Sequence, residues 1–132
     1  YHGIGGSADL KDHNLSPRHA TNIAYHRVND AYSQGGAVTS GDGLYFSMRS
    51  TSTNKKLVKN LGTVADNIRT VNGLPTHKFF IGAHNNDDAA GNFRADKISF
   101  LGLGDNFTLG EMTTIQNAMR TYLDAYGNDI IP

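Results

Sequence analysis

Apolar residues come in short runs along most of the chain, each closed by Gly, Asn, Asp, Ser or Thr. One segment departs from this. Met112, Ile115, Met119, Tyr122, Leu123 and Tyr126 recur at spacings of three, four and seven, which puts them on one face of a helix. Thr108 and Glu111 fit a capping box, in which the hydroxyl accepts from the backbone three residues on and the carboxylate reaches back. Phe107 and Met112 can form a hydrophobic staple across that cap. Gly127-Asn128 is a stop signal, because Gly tolerates the left-handed conformation that closes a helix. The pattern predicts a helix over 108–126, with its Met and aromatic stripe packed on a core rather than around a cofactor.

The remaining runs read as strands. Residues 23–28 favour a strand, with a short helix over 22–32 as the alternative. Gly35-Gly36 and Ser40-Gly41-Asp42-Gly43 are turn signals. Residues 44–49 are dense in strand formers, 50–54 form a polar tip, and 55–60 return, so the three read as a hairpin. A weaker strand covers 61–71, ended by the Asn72-Gly73-Leu74-Pro75 turn. Residues 79–83 predict an apolar strand, 84–93 a polar loop and 97–104 another strand. Residues 1–22 show no periodicity and read as a loop or arm. The sum is about six or seven short strands at regular intervals and one late helix, a pattern of sandwiches and barrels and not of alternating βαβ units. The fold class expected is all-β: an antiparallel β-sandwich with one C-terminal amphipathic helix.

Composition narrows the function. Lys plus Arg and Asp plus Glu are 12 each, giving a formal net charge of zero. The only basic cluster is Lys55, Lys56 and Lys59, which a charged strand edge explains, so no nucleic-acid face is expected. No Cys is present, which removes thiolate catalysis and Cys-ligated zinc. No apolar run is long enough for a membrane-spanning helix, so no membrane insertion is expected. The chain has 15 Gly and only 18% charged residues, which suits short strands and tight turns.

Gly43-Leu44-Tyr45-Phe46-Ser47-Met48-Arg49-Ser50-Thr51-Ser52, followed by Lys56-Leu57-Val58-Lys59-Asn60, resembles a segment of the laminin-G-like, concanavalin A-like jelly-roll family. Val58 stands where that family commonly has an aromatic residue, and Leu61 precedes Gly62. Gly73-Leu74-Pro75 with Phe79-Phe80-Ile81-Gly82-Ala83-His84-Asn85 is similar to the family's next strand. Asp96-Lys97-Ile98-Ser99-Phe100 and Leu103-Gly104-Asp105-Asn106-Phe107-Thr108 through Glu111 are similar to its last core strand and the turn into the terminal helix. The likeness covers about residues 40–126 and is nearest to versions in phage virion or tail proteins and bacterial surface proteins. It implies a jelly-roll β-sandwich over 41–132, including the helix 108–126. It also implies that 1–40 form an N-terminal arm and first strands that are missing, shortened or completed by a neighbouring chain. The implied function is a non-enzymatic structural or adhesion domain of a virion or extracellular assembly that builds the assembly, binds glycan, or does both. A carbohydrate-binding module attached to a glycan-active enzyme is the alternative. Implied partners are further copies of the chain, other subunits of a virion or filament, and a cell-surface glycan. The implied location is the virion surface or the extracellular space.

Candidate chemistry is sparse. Asn85, Asn86, Asp87 and Asp88 form an oxygen-rich stretch, the first place to look for a ligand. Calcium at Asn86, Asp87 and Asp88 is the cofactor to test, because Ca²⁺ takes six to eight oxygens. The alternative is a solvated loop of turn-forming residues. Tyr25, Tyr32 and Tyr45 offer flat rings for stacking on sugars, against which stands core or interface packing. The His residues at 2, 13, 19, 26, 77 and 84 form no zinc-binding spacing. Glu111 is the only Glu, and its capping role accounts for it. No paired carboxylates for glycoside hydrolysis stand on one strand, so no catalytic residue is assigned.

Overall fold

In a computed structural model the described residues are 4–5, 13–19, 21–30, 34–71, 73, 79–86, 89–91, 98, 100–102, 104–127 and 131. Strands dominate them, with one C-terminal helix. Among the described residues nine strands follow chain order: β1 (Ile4–Gly5), β2 (His13–Ser16), β3 (Ile23–Val28), β4 (Gln34–Ala37), β5 (Tyr45–Thr51), β6 (Asn54–Lys59), β7 (Gly62–Ile68), β8 (His84–Asn86) and β9 (Ala89–Gly91). The helix α1 spans Leu109–Asp124. All pairing is antiparallel and sequential. A first sheet runs β1-β2-β3-β4, a second β5-β6-β7, and β8-β9 form a separate pair. The described pairings are thus meanders, without the crossovers of a jelly roll.

The strand expected over 23–28 forms with those bounds, and β5 and β6 form the expected hairpin. Lys59 pairs with Gly62, so the β6–β7 turn is the two residues Asn60 and Leu61, at φ 47° and 64°. Positive φ at both positions is the type I′ geometry that suits hairpin twist. Asn tolerates it; Leu61 is held there, with its side chain packed beside Phe46, Met48, Val58 and Met112.

Two cores follow from strand alternation. On one face of the second sheet, Leu57 and Ala65 bury against Ala24 and Val38, with Leu15, Tyr45 and Val64 around them. On the other face Phe46, Met48 and Val58 bury against Met112, flanked by Leu44, Leu61, Phe107 and Ile115. The second sheet is therefore covered on both sides, by the first sheet and by α1. A bulge in the β6–β7 register lies between Leu57 and Val58, and both residues are buried.

Several expectations are corrected. His13–Ser16, read as part of an aperiodic arm, is a strand; Leu15 packs toward the second sheet, and its most buried residues, Asn14 and Ser16, lie on the other face, so most of its burial is invisible to hydropathy. Gly35-Gly36, read as a turn, lies inside β4. A Cβ on Gly36 would sit 2.1 Å from the Val64 carbonyl oxygen, so glycine lets β4 pass close to β7. Residues 79–83 form no continuous strand: Gly82 takes φ 73°, only Phe80 makes a bridge, and the strand pair appears at 84–86 and 89–91, where a loop was expected. Ile98, Phe100, Leu101, Gly102 and Gly104 belong to no strand, and alternate residues Ile98 and Phe100 are both exposed. The rest of the expected 97–104 strand lies outside the described residues. In α1 the capping box is present and Gly127, at φ 72°, follows the helix. Met112, Gln116 and Leu123 are its buried residues, while Tyr122 and Tyr126, assigned to the apolar face, stand in solvent.

Candidate functional site

The residues expected to bind ligand do not form one site. Asn85 and Asn86 lie in β8, with Asn86 paired to Ala89. Asp87 and Asp88, and with them the calcium expectation, lie outside the described residues. Among the described residues, no three His, Asp or Glu side chains gather as a metal site would require. Tyr25 is half-buried on β3, beside Gly35 of β4, and meets the His19 ring edge-on at 5.7 Å. It points away from the face that carries Ala24, whereas Tyr45 packs with Ala24. The two rings therefore make no common platform.

Tyr45 acts as a clasp. Its hydroxyl donates to the carbonyls of Pro17, at 3.0 Å, and Ser40, at 3.4 Å. Lys59 Nζ donates to the same Ser40 carbonyl at 2.7 Å and lies 5.6 Å from the centre of the Tyr45 ring. Burial, with Asp42 nearby, pushes the phenol up to about 12. The segments around Pro17 and Ser40 are thereby tied to the second sheet.

Among the described residues, three charged side chains meet inside the molecule, and no sequence motif announces them. Asp30 follows β3 and is buried. Its Oδ2 pairs with Lys55 Nζ of β6 at 2.6 Å and with Arg49 Nη2 of β5 at 3.1 Å. Arg49 also donates from Nε to the Val28 carbonyl, at 2.9 Å, and from Nη1 to the Arg69 carbonyl, at 2.6 Å. One guanidinium thus holds the end of β3 to the residue following β7. Lys55 is fully buried; desolvation pulls its ammonium below the usual range, and Asp30 opposes that pull.

His26 lies on the same inner face, fully buried, with Nδ1 3.0 Å from Ser47 Oγ. Its Nε2 has no hydrogen-bond partner among the described residues. Burial first, and the Lys55 charge second, hold the imidazole down to about 3. His13 of β2 is also pulled down by burial, and its ring meets Phe79 at 5.9 Å. A Ser–His contact beside a carboxylate has the parts of a nucleophile and base. Here His26 has no exposed surface and Asp30 is engaged by two cations, so the group serves the sheet interface. A faint signal preceded it: alternation along β5 sets Ser47 and Arg49 on the face of Tyr45, and alternation along β6 sets Lys55 on the face of Leu57.

Comparison with protein-family models, curated proteins and solved structures finds no match to the chain. The laminin-G-like resemblance therefore rests on the quoted residues alone. No described helix is long and apolar enough to cross a membrane.

Proposed function

We propose that the chain is a non-enzymatic structural or adhesion domain of a virion or other extracellular assembly, built as a β-sandwich and working through its surface. The observation that supports this is the amount of large apolar surface left uncovered. Ile68 is 85% exposed and Tyr126 69%, and Ile81, Phe100, Leu109 and Tyr122 are each more than half exposed. Single exposed apolar residues are ordinary. This many in a chain of 132 residues fits a domain seated against neighbours. The virion or cell-surface setting comes from the resemblance.

Sedimentation of the full chain over a concentration series tests the reading. Self-association is expected, weakened by Ile68→Lys at this largely exposed position. A chain that stays monomeric at its highest soluble concentration, and binds no extracellular ligand, would end the proposal.

A glycan-binding role, including that of a module attached to a glycan-active enzyme, has one observation in its favour. Tyr122 and Tyr126 are exposed one helical turn apart, with ring centres 5.0 Å from each other. Paired exposed rings suit the flat apolar face of a sugar. Binding on a glycan array that disappears in Tyr122→Ala, with the fold intact, would select this reading.

A further inference from the structure

We propose that His26 is an acid-sensitive latch between the two sheets: neutral, it lets them close, and protonated, it releases the first sheet from the second. The geometry has three parts. His26 is fully buried on the β3 face turned toward the second sheet. One ring nitrogen meets Ser47 of β5, while Nε2 has no partner among the described residues. Two cationic side chains, Lys55 of β6 and Arg49 of β5, already share one carboxylate oxygen of Asp30.

A proton added to this imidazole makes both ring nitrogens donors and places a third positive charge beside that pair. The groups facing His26 come from every side. His13 on β2, Arg49 on β5 and Lys55 on β6 oppose its charging, and Asp30 alone favours it. β4 reads Gln-Gly-Gly-Ala and brings no titratable residue. Desolvation adds to the opposition and is its largest part, so the ring stays neutral until about 3, against an ordinary 6.5. Released into water, it would take up its proton near the ordinary value. Acid therefore favours the open state.

The size follows from linkage. With the open form titrating at 6.5 and the closed form at about 3, the closed-to-open ratio falls about thirty-fold between pH 8 and pH 5, and about tenfold per further unit until the lower value. Among the described residues, the opposite face of the second sheet, with Phe46, Met48, Val58 and Met112, buries no titratable side chain. The first sheet should loosen first and α1 should stay docked.

Amide hydrogen exchange of the full chain at pH 8 and pH 5, corrected for intrinsic rates, tests this. Protection in β2 and β3 is expected to fall about thirty-fold, while protection in α1 holds. His26→Asn, which keeps an amide near Ser47 but does not titrate, should remove the fall; His13→Gln should leave most of it. If His26→Asn does not fold, imidazole NMR of the native chain decides. The closed form's His26 resonance should not move between pH 8 and pH 5 while β2 and β3 lose protection. Unchanged protection at pH 5, an equal acid loss in folded His26→Asn, or a closed-form His26 titrating near its ordinary value would overturn the proposal.

Discussion

Asp30 shows how much a single side chain can carry here. Its carboxylate pairs with two cations, Lys55 and Arg49, at depths where water does little to compensate them. Asp30→Asn keeps the shape and removes the charge. It should cost about 3–5 kcal/mol, because breaking a buried pair leaves uncompensated charge behind. Urea unfolding at neutral pH would measure it, and Lys55→Met should cost less, since Arg49 remains on Asp30. Nothing in the sequence marks Asp30 out from the other acidic residues. Its partners stand 19 and 25 positions away, and no local periodicity reports such a meeting. Tyr45 was visible as a residue of interest, but its role depends on carbonyls of Pro17 and Ser40 that only the folded chain brings near.

The helix is the element whose start could be read best from its own residues. The Thr108 N–H donates to Glu111 Oε2 at 2.8 Å, and the Glu111 N–H donates to Thr108 Oγ1 at 3.3 Å. The Thr108 N–H, and then its hydroxyl, donating to the carboxylate hold the Glu111 carboxyl below its usual range, so their support is present above that range and fades as pH falls through it. Thr108→Ala should lower stability by about 1 kcal/mol, read from thermal melts followed at the helix signal. Capping is local chemistry, spelled by four consecutive residues, so a sequence suffices to find it. Strands β1 and β2 are the reverse case. β1 pairs with β2 and β2 with β3, and the most buried positions of β2 are Asn14 and Ser16, so apolar alternation never announces them.

For the molecule as a whole, the decisive feature is how closely the two sheets approach. β4 can pass β7 because Gly36 has no side chain; a Cβ there would meet the Val64 carbonyl group and Cγ1, backbone and side chain alike. Gly36→Ala should therefore separate the sheets at Val38 and Ala65 and cost about 3 kcal/mol, seen as a lower urea midpoint. Gly127→Ala, with open space around its Cβ and a positive φ, should cost about 1 kcal/mol. The contrast separates close packing from backbone strain. The same interface carries His26, Asp30 and Lys55 on buried positions, a polar and charged layer beside the apolar cluster of Ala24, Val38, Leu57 and Ala65.

The chain's own pattern determined that it would be rich in antiparallel strands, that residues 44–60 would fold as a hairpin, and that one capped helix would follow. Those outcomes depend on neighbours a few positions apart, where turn chemistry and side-chain period act directly. The tertiary structure decided which polar residues go inside, how Gly36 is used, and that Tyr122 and Tyr126 face solvent. Such choices are made by side chains far apart in sequence, whose desolvation is tolerable only once their partners have arrived.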